Sequence, residues 1–167
     1  MAMAHPKLAL RPFLPDDAPV LAEIFRASIM DLTGEDYTEA QQQAWASTAD
    51  DEAAFAKRLG HQLTLVASLE GSPVGFASLG PGGKIDLLYV HPAATGRGVG
   101  AMLIDALEKL AGARKAEKLI VDASDTARGF FEKRGYIAQQ RNTVSTGDEW
   151  LANTTLHKQL AAKREAS

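Results

Sequence analysis

The stretch Tyr89-Val90-His91-Pro92-Ala93-Ala94-Thr95-Gly96-Arg97-Gly98-Val99-Gly100-Ala101-Met102 decides how this chain is read. An apolar run (Ile85, Leu87, Leu88, Tyr89, Val90) leads into it as a strand and is stopped by Pro92. Glycine then alternates with other residues at Gly96, Gly98 and Gly100. Next comes a helical stripe, with Val99, Met102, Leu103, Ala106, Leu107 and Leu110 on one face. Glycines at a strand-to-helix junction let backbone N–H groups point outward without Cβ atoms in the way. Those groups also lie at the positive end of the helix dipole. The pattern predicts an anion cradle of the size of a pyrophosphate.

Working outward, the spacing predicts one mixed-sheet α+β domain. On the N-terminal side, Leu8 to Arg11 reads as a short strand, and Asp16 or Asp17 as the cap of a helix carrying Val20, Leu21, Ile24, Phe25 and Ile29. Thr33-Gly34 breaks that helix. Thr38 to Ala46 and Asp50 to Gly60 give two more. Leu63 to Ala67, Val74 to Leu79 and Lys84 to Val90 form a meander turning at Glu70-Gly71-Ser72-Pro73 and Gly80-Pro81-Gly82-Gly83. Beyond the glycine-led helix, Lys118 to Asp122 is a buried strand and Thr126 to Arg134 a helix ended by Gly135. A hairpin of Tyr136 to Val144 and Glu149 to Leu156 closes the order. Residues 1–6 and 161–167 read as frayed ends.

Composition narrows the function classes. The 167 residues are 46% hydrophobic and 23% charged, with a net charge of −3. The 18 Lys and Arg are scattered among 21 acids, so nothing predicts a nucleic-acid partner. No run approaches the ~20 apolar residues of a membrane span, and no signal-peptide pattern opens the chain. The expectation is a cytoplasmic protein without a membrane partner. The absence of cysteine excludes a disulfide framework, a thiolate metal site and a cysteine nucleophile. The histidines have no metal-ligand spacing, and no metal is expected.

Three phosphate-binding readings compete for the glycine loop. A P-loop requires G-x-x-x-x-G-K-S/T, which neither Gly80–Lys84 nor Gly96–Gly100 supplies. A Rossmann fingerprint requires G-x-G-x-x-G, and here the third glycine comes one position early. The third reading is coenzyme A. Leu88-Tyr89-Val90-His91-Pro92 with Thr95-Gly96-Arg97-Gly98-Val99-Gly100 resembles the acetyl-coenzyme-A motif Q/R-x-x-G-x-G/A of the GCN5-related N-acetyltransferases. It departs at Thr95, where Gln or Arg is usual. Leu10 to Ala18 resembles that family's opening strand and helix cap. Asp122-Ala123-Ser124-Asp125-Thr126-Ala127-Arg128-Gly129-Phe130-Phe131, continuing to Gly135-Tyr136, is similar to its second cofactor segment. The resemblance spans about residues 8–158.

What the resemblance implies is a mixed, mostly antiparallel sheet with helices on both faces, whose fourth and fifth strands (84–90 and 117–122) splay to admit the pantetheine arm. The amides of Arg97, Gly98, Val99, Gly100 and Ala101 would grip the pyrophosphate. Backbone groups of Leu88 and Val90 would pair with the pantetheine. Tyr89, Thr95, Gly96, Ser124, Ala127, Phe130 and Phe131 complete the expected cofactor-binding set. Acetyl-coenzyme A is the implied co-substrate, and a small-molecule or peptide amine the partner, bound by a monomer or homodimer. Aminoglycoside-type, polyamine and peptide N-terminal acceptors all remain open.

Acyl transfer to an amine of pKa near ~10 needs a route for the amine's proton. Asp86 is the leading candidate base. An Asp inside an apolar strand normally needs a reason, and period-2 alternation would place it on one face with Lys84, Leu88 and Val90. Its other reading is a paired carboxylate. Asp122 is the second candidate base, against a helix-capping role. The backbone N–H of Tyr89 or Val90 is the candidate oxyanion donor. Phe131 stands where many family members carry a tyrosine acid. Ser124 is a possible substitute, competing with an N-cap role, while Tyr136 reads as packing. His91 reads as a loop hydrogen-bonding residue rather than a catalyst. Tyr37, Trp45 and Phe76 are candidate acceptor-pocket residues, with Trp150 and Asn153 on the opposite rim. The rival readings are a non-catalytic acyl-coenzyme-A sensor and a transferase for a longer acyl chain.

Overall fold

The described residues form seven strands: β1 (Leu8–Pro12), β2 (Leu63–Leu69), β3 (Ser72–Leu79), β4 (Lys84–Val90), β5 (Lys118–Ser124), β6 (Ile137–Thr146) and β7 (Glu149–Gln159). They form one sheet in the order β1-β2-β3-β4-β5-β7-β6. Every neighbouring pair is antiparallel except β4 and β5. Five α-helices cover it: α1 (Ala18–Leu32), α2 (Glu39–Ala46), α3 (Glu52–Gly60), α4 (Val99–Ala113) and α5 (Arg128–Glu132). The computed structural model describes residues 7–160, so the frayed ends expected at 1–6 and 161–167 lie outside the described residues. No described helix is long and apolar enough to cross a membrane.

Two cores lie on the two faces of the sheet. On one, Leu21, Ile24, Phe25 and Ile29 of α1 and Phe55 and Leu59 of α3 pack on Val66, Phe76 and Leu87. On the other, Leu103, Ile104 and Leu107 of α4 pack on Ala67, Ala77, Ile85, Leu119 and Val121. The small residues of β2 and β3 face α4, which lets that helix approach closely. Ile104, fully buried, joins the stripe that the spacing placed on Leu103 and Leu107.

Local chemistry sets the helix starts. Thr38 and Gln41 make a reciprocal capping box at α2, with bonds of 3.1 and 2.9 Å. The Asp51 carboxylate accepts the Ala54 N–H at 3.0 Å to start α3. Asp17 stands at the N-cap position of α1 as expected, but its side chain makes no cap bond to that helix. Asp17 instead accepts the Leu14 N–H at 2.8 Å and both arms of Arg11 at 2.7 and 2.8 Å, tying β1 to the turn before α1. The Arg11 guanidinium holds this carboxyl below its usual range.

Two irregularities shape the centre of the sheet. In the β3–β4 ladder Ser78 pairs with Leu87 and Leu79 with Ile85, so Asp86 is an extra residue with no partner opposite. This bulge breaks the strict alternation expected of the strand. Ile85 joins the α4-side core while Leu87 joins the α1–α3 core. Asp86 therefore does not share a face with Leu88 and Val90 and reaches Arg58 and Gln62 at the end of α3. The second irregularity is a fork. β4 and β5 pair only at Lys84 with Ile120 and at Ile85 with Val121. Beyond Ile85, no strand among the described residues pairs with β4 on its β5 side.

At the base of the fork Gly83 has φ +78°, and a Cβ there would lie 2.2 Å from the Lys118 carbonyl oxygen. Gly83→Ala is expected to destabilise the protein by about 2–3 kcal/mol through left-handed strain and this clash. Gly112, in α4, is the control, because a Cβ there would meet nothing within 4 Å. Gly112→Ala should stabilise by about 0.5–1 kcal/mol. Thermal or urea unfolding of both variants checks the pair.

Candidate active site

The β4–α4 junction has the predicted cradle geometry. Gly96 and Gly98 have φ of +80° and +83°, and Gly98 is the N-cap of α4. The helical ladder begins with the Met102 N–H donating to the Gly98 carbonyl at 3.0 Å. The amides of Val99, Gly100 and Ala101 thus precede it and carry the helix dipole behind them. Thr95 and His91 hold the loop that delivers these amides. The Thr95 hydroxyl donates to the Pro92 carbonyl at 3.0 Å, and His91 Nδ1 accepts the Ala93 N–H at 3.0 Å.

A cleft of about 430 Å³ runs from this cradle into the fork. Its walls include Leu88, Tyr89 and Val90 of β4, and Thr95, Gly96, Gly98, Val99, Gly100 and Ala101 of the junction. Ala127, Phe130, Phe131 and Arg134 line the α5 side. Arg97 is exposed and absent from the wall. Arg134 is a residue the sequence reading missed. Its guanidinium lies 4.0 Å over the Phe130 ring, which places a cation on the cleft wall. The available signal was an arginine four residues after an aromatic on a short helix. A cradle of free amides, a cation and an unpaired strand edge together fit a long ligand carrying phosphates at one end and amides along its arm.

A second cavity, of about 170 Å³, adjoins this cleft. Tyr37, Trp45 and Tyr89 supply its aromatic wall, Asp86 and Asp122 its carboxylates, and Leu151, Ala152 and Asn153 its β7 side. Phe76 is not among them. It is fully buried and stacks behind Tyr89 with ring centroids 5.9 Å apart, so the expectation that it faces the acceptor is corrected. Trp150 is 62% exposed and lies off the cavity, whereas Asn153 is on its wall.

The carboxylates are both engaged. Arg58 donates to Asp86 through Nε at 2.7 Å and a terminal nitrogen at 2.9 Å, and Gln62 adds a bond at 2.8 Å. Burial pushes the Asp86 carboxyl up. The bonds from Arg58 and Gln62 and the charges of Arg58 and Lys84 outweigh it, so the group stays ionised below its usual range. Asp122 accepts from Thr155 and from Lys84, the latter at 3.1 Å. Burial raises it as well, and these partners again bring it below its usual range. Sequence reasoning could not see Arg58 and Gln62 because they arrive from 28 and 24 residues away.

The other candidates have local duties. Ser124 Oγ accepts the Ala127 N–H at 3.1 Å in the turn before α5, a local bond, while the N-cap of that helix is Ala127 rather than Ser124 as the capping reading had it. The Tyr136 hydroxyl donates to Glu108 at 2.9 Å, and burial followed by Glu108 drives that phenol far above its ordinary range. The Tyr37 hydroxyl donates to the Ala152 carbonyl at 2.6 Å and accepts the Asp125 N–H at 2.8 Å. Phe131 is buried between Phe130 and Tyr136, each at 5.2 Å, and brings no acid to the site. The two cavities meet at Trp45, Leu88, Tyr89, Ser124, Ala127 and Phe131, which line both.

Comparison with known proteins agrees with this geometry. Residues 33–152 match the family model described as the Acetyltransferase (GNAT) domain. The chain is 32% identical over 146 residues to the uncharacterized N-acetyltransferase YafP of Escherichia coli K12, covering 87% of this chain and 92% of that one. The crystal structure of a GCN5-related N-acetyltransferase ("Aminotransferase, Class-II") from Rhodopseudomonas palustris superposes with a TM-score of 0.91 at 66% identity, over 96% of this chain and 99% of the other. The fold is shared with the PaiA N-acetyltransferase of Thermoplasma acidophilum, solved in complex with coenzyme A. That match has a TM-score of 0.76 at 18% identity, over 92% and 99% of the two chains. With its glycine-loop cradle, forked sheet and these relatives, the chain belongs to the GCN5-related N-acetyltransferase family of acyltransferases.

Proposed function

We propose that this protein transfers the acetyl group of acetyl-coenzyme A directly to a primary amine of a small molecule or peptide. The observation that carries the reading is the meeting of the two cavities. A ligand on the cradle and a second in the aromatic, acid-lined cavity approach each other only at the wall both share. Acetyl-coenzyme A, when bound, supplies an activated thioester. The chain supplies position and charge. The amides of Val99, Gly100 and Ala101 and the Arg134 cation would hold the phosphates, and the open β4 edge at Leu88 and Val90 would pair with the arm. Without a cysteine, the chain has no thiol nucleophile to carry an acyl-enzyme, which favours a single transfer within a ternary complex.

Asp86 and Asp122 give the acceptor cavity its negative charge. In this proposal Asp86 attracts and orients the cationic amine through the lone pairs that Arg58 and Gln62 leave free. A carboxylate held below its usual range is a weak proton acceptor, so the amine's proton passes to solvent rather than resting on Asp86. Its sign is fixed: a depressed pKa keeps Asp86 ionised at every pH above the ordinary carboxylate range.

Two outcomes are expected. Acetyl-coenzyme A at about 100 times its Kd should stabilise the protein by about 2.7 kcal/mol, raising Tm by roughly 5–10 °C. Screening an amine panel by thiol release should then reveal turnover. Stabilisation without turnover on any amine would point to the acyl-coenzyme-A sensor, and greater stabilisation by longer acyl donors to a different acyl transferase. No stabilisation by any acyl-coenzyme A overturns the reading.

Asp86→Asn is expected to lower kcat/KM for the amine about 10- to 100-fold while acetyl-coenzyme A binding changes less than about twofold. In the wild type, kcat/KM should climb with pH toward the acceptor's own pKa. It should show no inflexion from Asp86 between about pH 6 and 8. Unchanged amine kinetics in Asp86→Asn would reduce this residue to a structural ion pair.

A further inference from the structure

The chain has three tyrosines, and the structure accounts for the hydroxyl protons of two. Tyr37 donates to the Ala152 carbonyl and Tyr136 to Glu108. The Tyr89 hydroxyl donates to no group among the described residues. Its ring is fixed on three sides, edge-on to Phe25 at 4.7 Å, stacked on Phe76 at 5.9 Å and edge-on to Trp45 at 6.5 Å. What remains open of Tyr89 faces the two cavities, since it lines both. Phe131 lines the same junction from the α5 side and has no proton to give.

We propose that the Tyr89 hydroxyl donates a hydrogen bond to the sulfur of the acyl donor as the sulfur leaves. This rests on the transferase reading above. In the reaction the amine nitrogen forms the new C–N bond and the C–S bond breaks. The electron pair of the broken bond stays on sulfur, and the amine's proton goes to water. Tyr89 keeps its own proton throughout. Burial pushes the phenol up to about 12, with Asp86 and Tyr37 adding to the rise and the Trp45 N–H and Arg58 opposing it. A thiol near ~8.5 cannot take that proton, so the phenol acts as a fixed dipole aimed at the developing thiolate. Asp122, across the fork, is the remaining charged group on the shared acceptor side.

The test is titration of the coenzyme A thiol in its complex with the protein, followed by thiolate ultraviolet absorbance. Wild type and Tyr89→Phe are compared, with kcat measured beside it. In the wild type the bound thiol should titrate at lower pH than in Tyr89→Phe, by about one pH unit. The substitution should cost on the order of 100-fold in kcat, with acetyl-coenzyme A binding preserved. Adding Phe131→Tyr to Tyr89→Phe should recover at least part of both effects, because it returns a phenol to the same junction. Thermal unfolding shows that Tyr89→Phe is folded. Identical thiol titration in the two proteins overturns the proposal, and so does a loss of kcat without a thiol shift, which would assign Tyr89 to acceptor packing. A wild type that binds coenzyme A but acetylates no amine overturns the transferase reading alone, since the thiol titration still decides Tyr89. Failure to bind coenzyme A overturns both.

Discussion

The arrangement depends on a parallel pairing that stops after two residues. β4 and β5 are hydrogen-bonded at Lys84–Ile120 and Ile85–Val121 and then part. From Asp86 to Val90 one edge of a central strand has no strand partner among the described residues, inside the molecule rather than at its rim. Backbone N–H and C=O groups in such a place need partners, and an exposed sheet edge is a template for one more extended chain. The cleft, the shared junction and the acceptor cavity all follow from this opening. Gly83 stands at its vertex, where only a residue without a Cβ fits against the Lys118 carbonyl.

A set of hydrogen bonds ties the α1–α2 side of the molecule to the β5–β7 side of the fork. Tyr37, from the segment between α1 and α2, bridges the Ala152 carbonyl of β7 and the Asp125 N–H beyond β5. Asp36 accepts from Thr126 at 2.7 Å, and Gln41 donates to the Trp150 carbonyl at 2.8 Å. Below Asp125, Arg141 closes a bidentate pair at 2.6 and 2.9 Å that is more than half exposed on the arginine side. Exposed pairs of this kind contribute little on their own. The buried Tyr37 hydroxyl, satisfied as donor and acceptor, is the stronger tie. The α1–α2 segment is therefore both a wall of the acceptor cavity and a strap over it.

Much of this was legible in residue order. The meander, the glycine-led helix and the hairpin after Gly135 follow from short-range rules, and their boundaries shift by only a few residues: β5 runs to Ser124 and α5 shrinks to Arg128–Glu132. The cradle was legible for the same reason, because a strand end, positive φ glycines and a helix start are all local. The acceptor side was not. Period-2 alternation put Asp86 on the Leu88 face, and the bulge moved it toward α3. Phe76 read as a pocket aromatic, yet Tyr89, paired with it across β3 and β4, lies between it and the cavity. Arg58 and Gln62 carry no motif that distinguishes them from surface residues, and Arg134 has only the aromatic four positions before it.

By itself the sequence determined the elements, their order and a glycine turn at a helix start, since each depends on residues within a few positions of one another. It also determined that no cysteine takes part. Tertiary structure decided which side chains meet. It paired Asp86 with Arg58, used the protons of Tyr37 and Tyr136, and gave that of Tyr89 no acceptor among the described residues, at the point where two cavities join. Those outcomes depend on contacts between distant segments and on one extra residue in a strand. A one-residue offset reverses the face of a side chain, and nothing in the local pattern announces it.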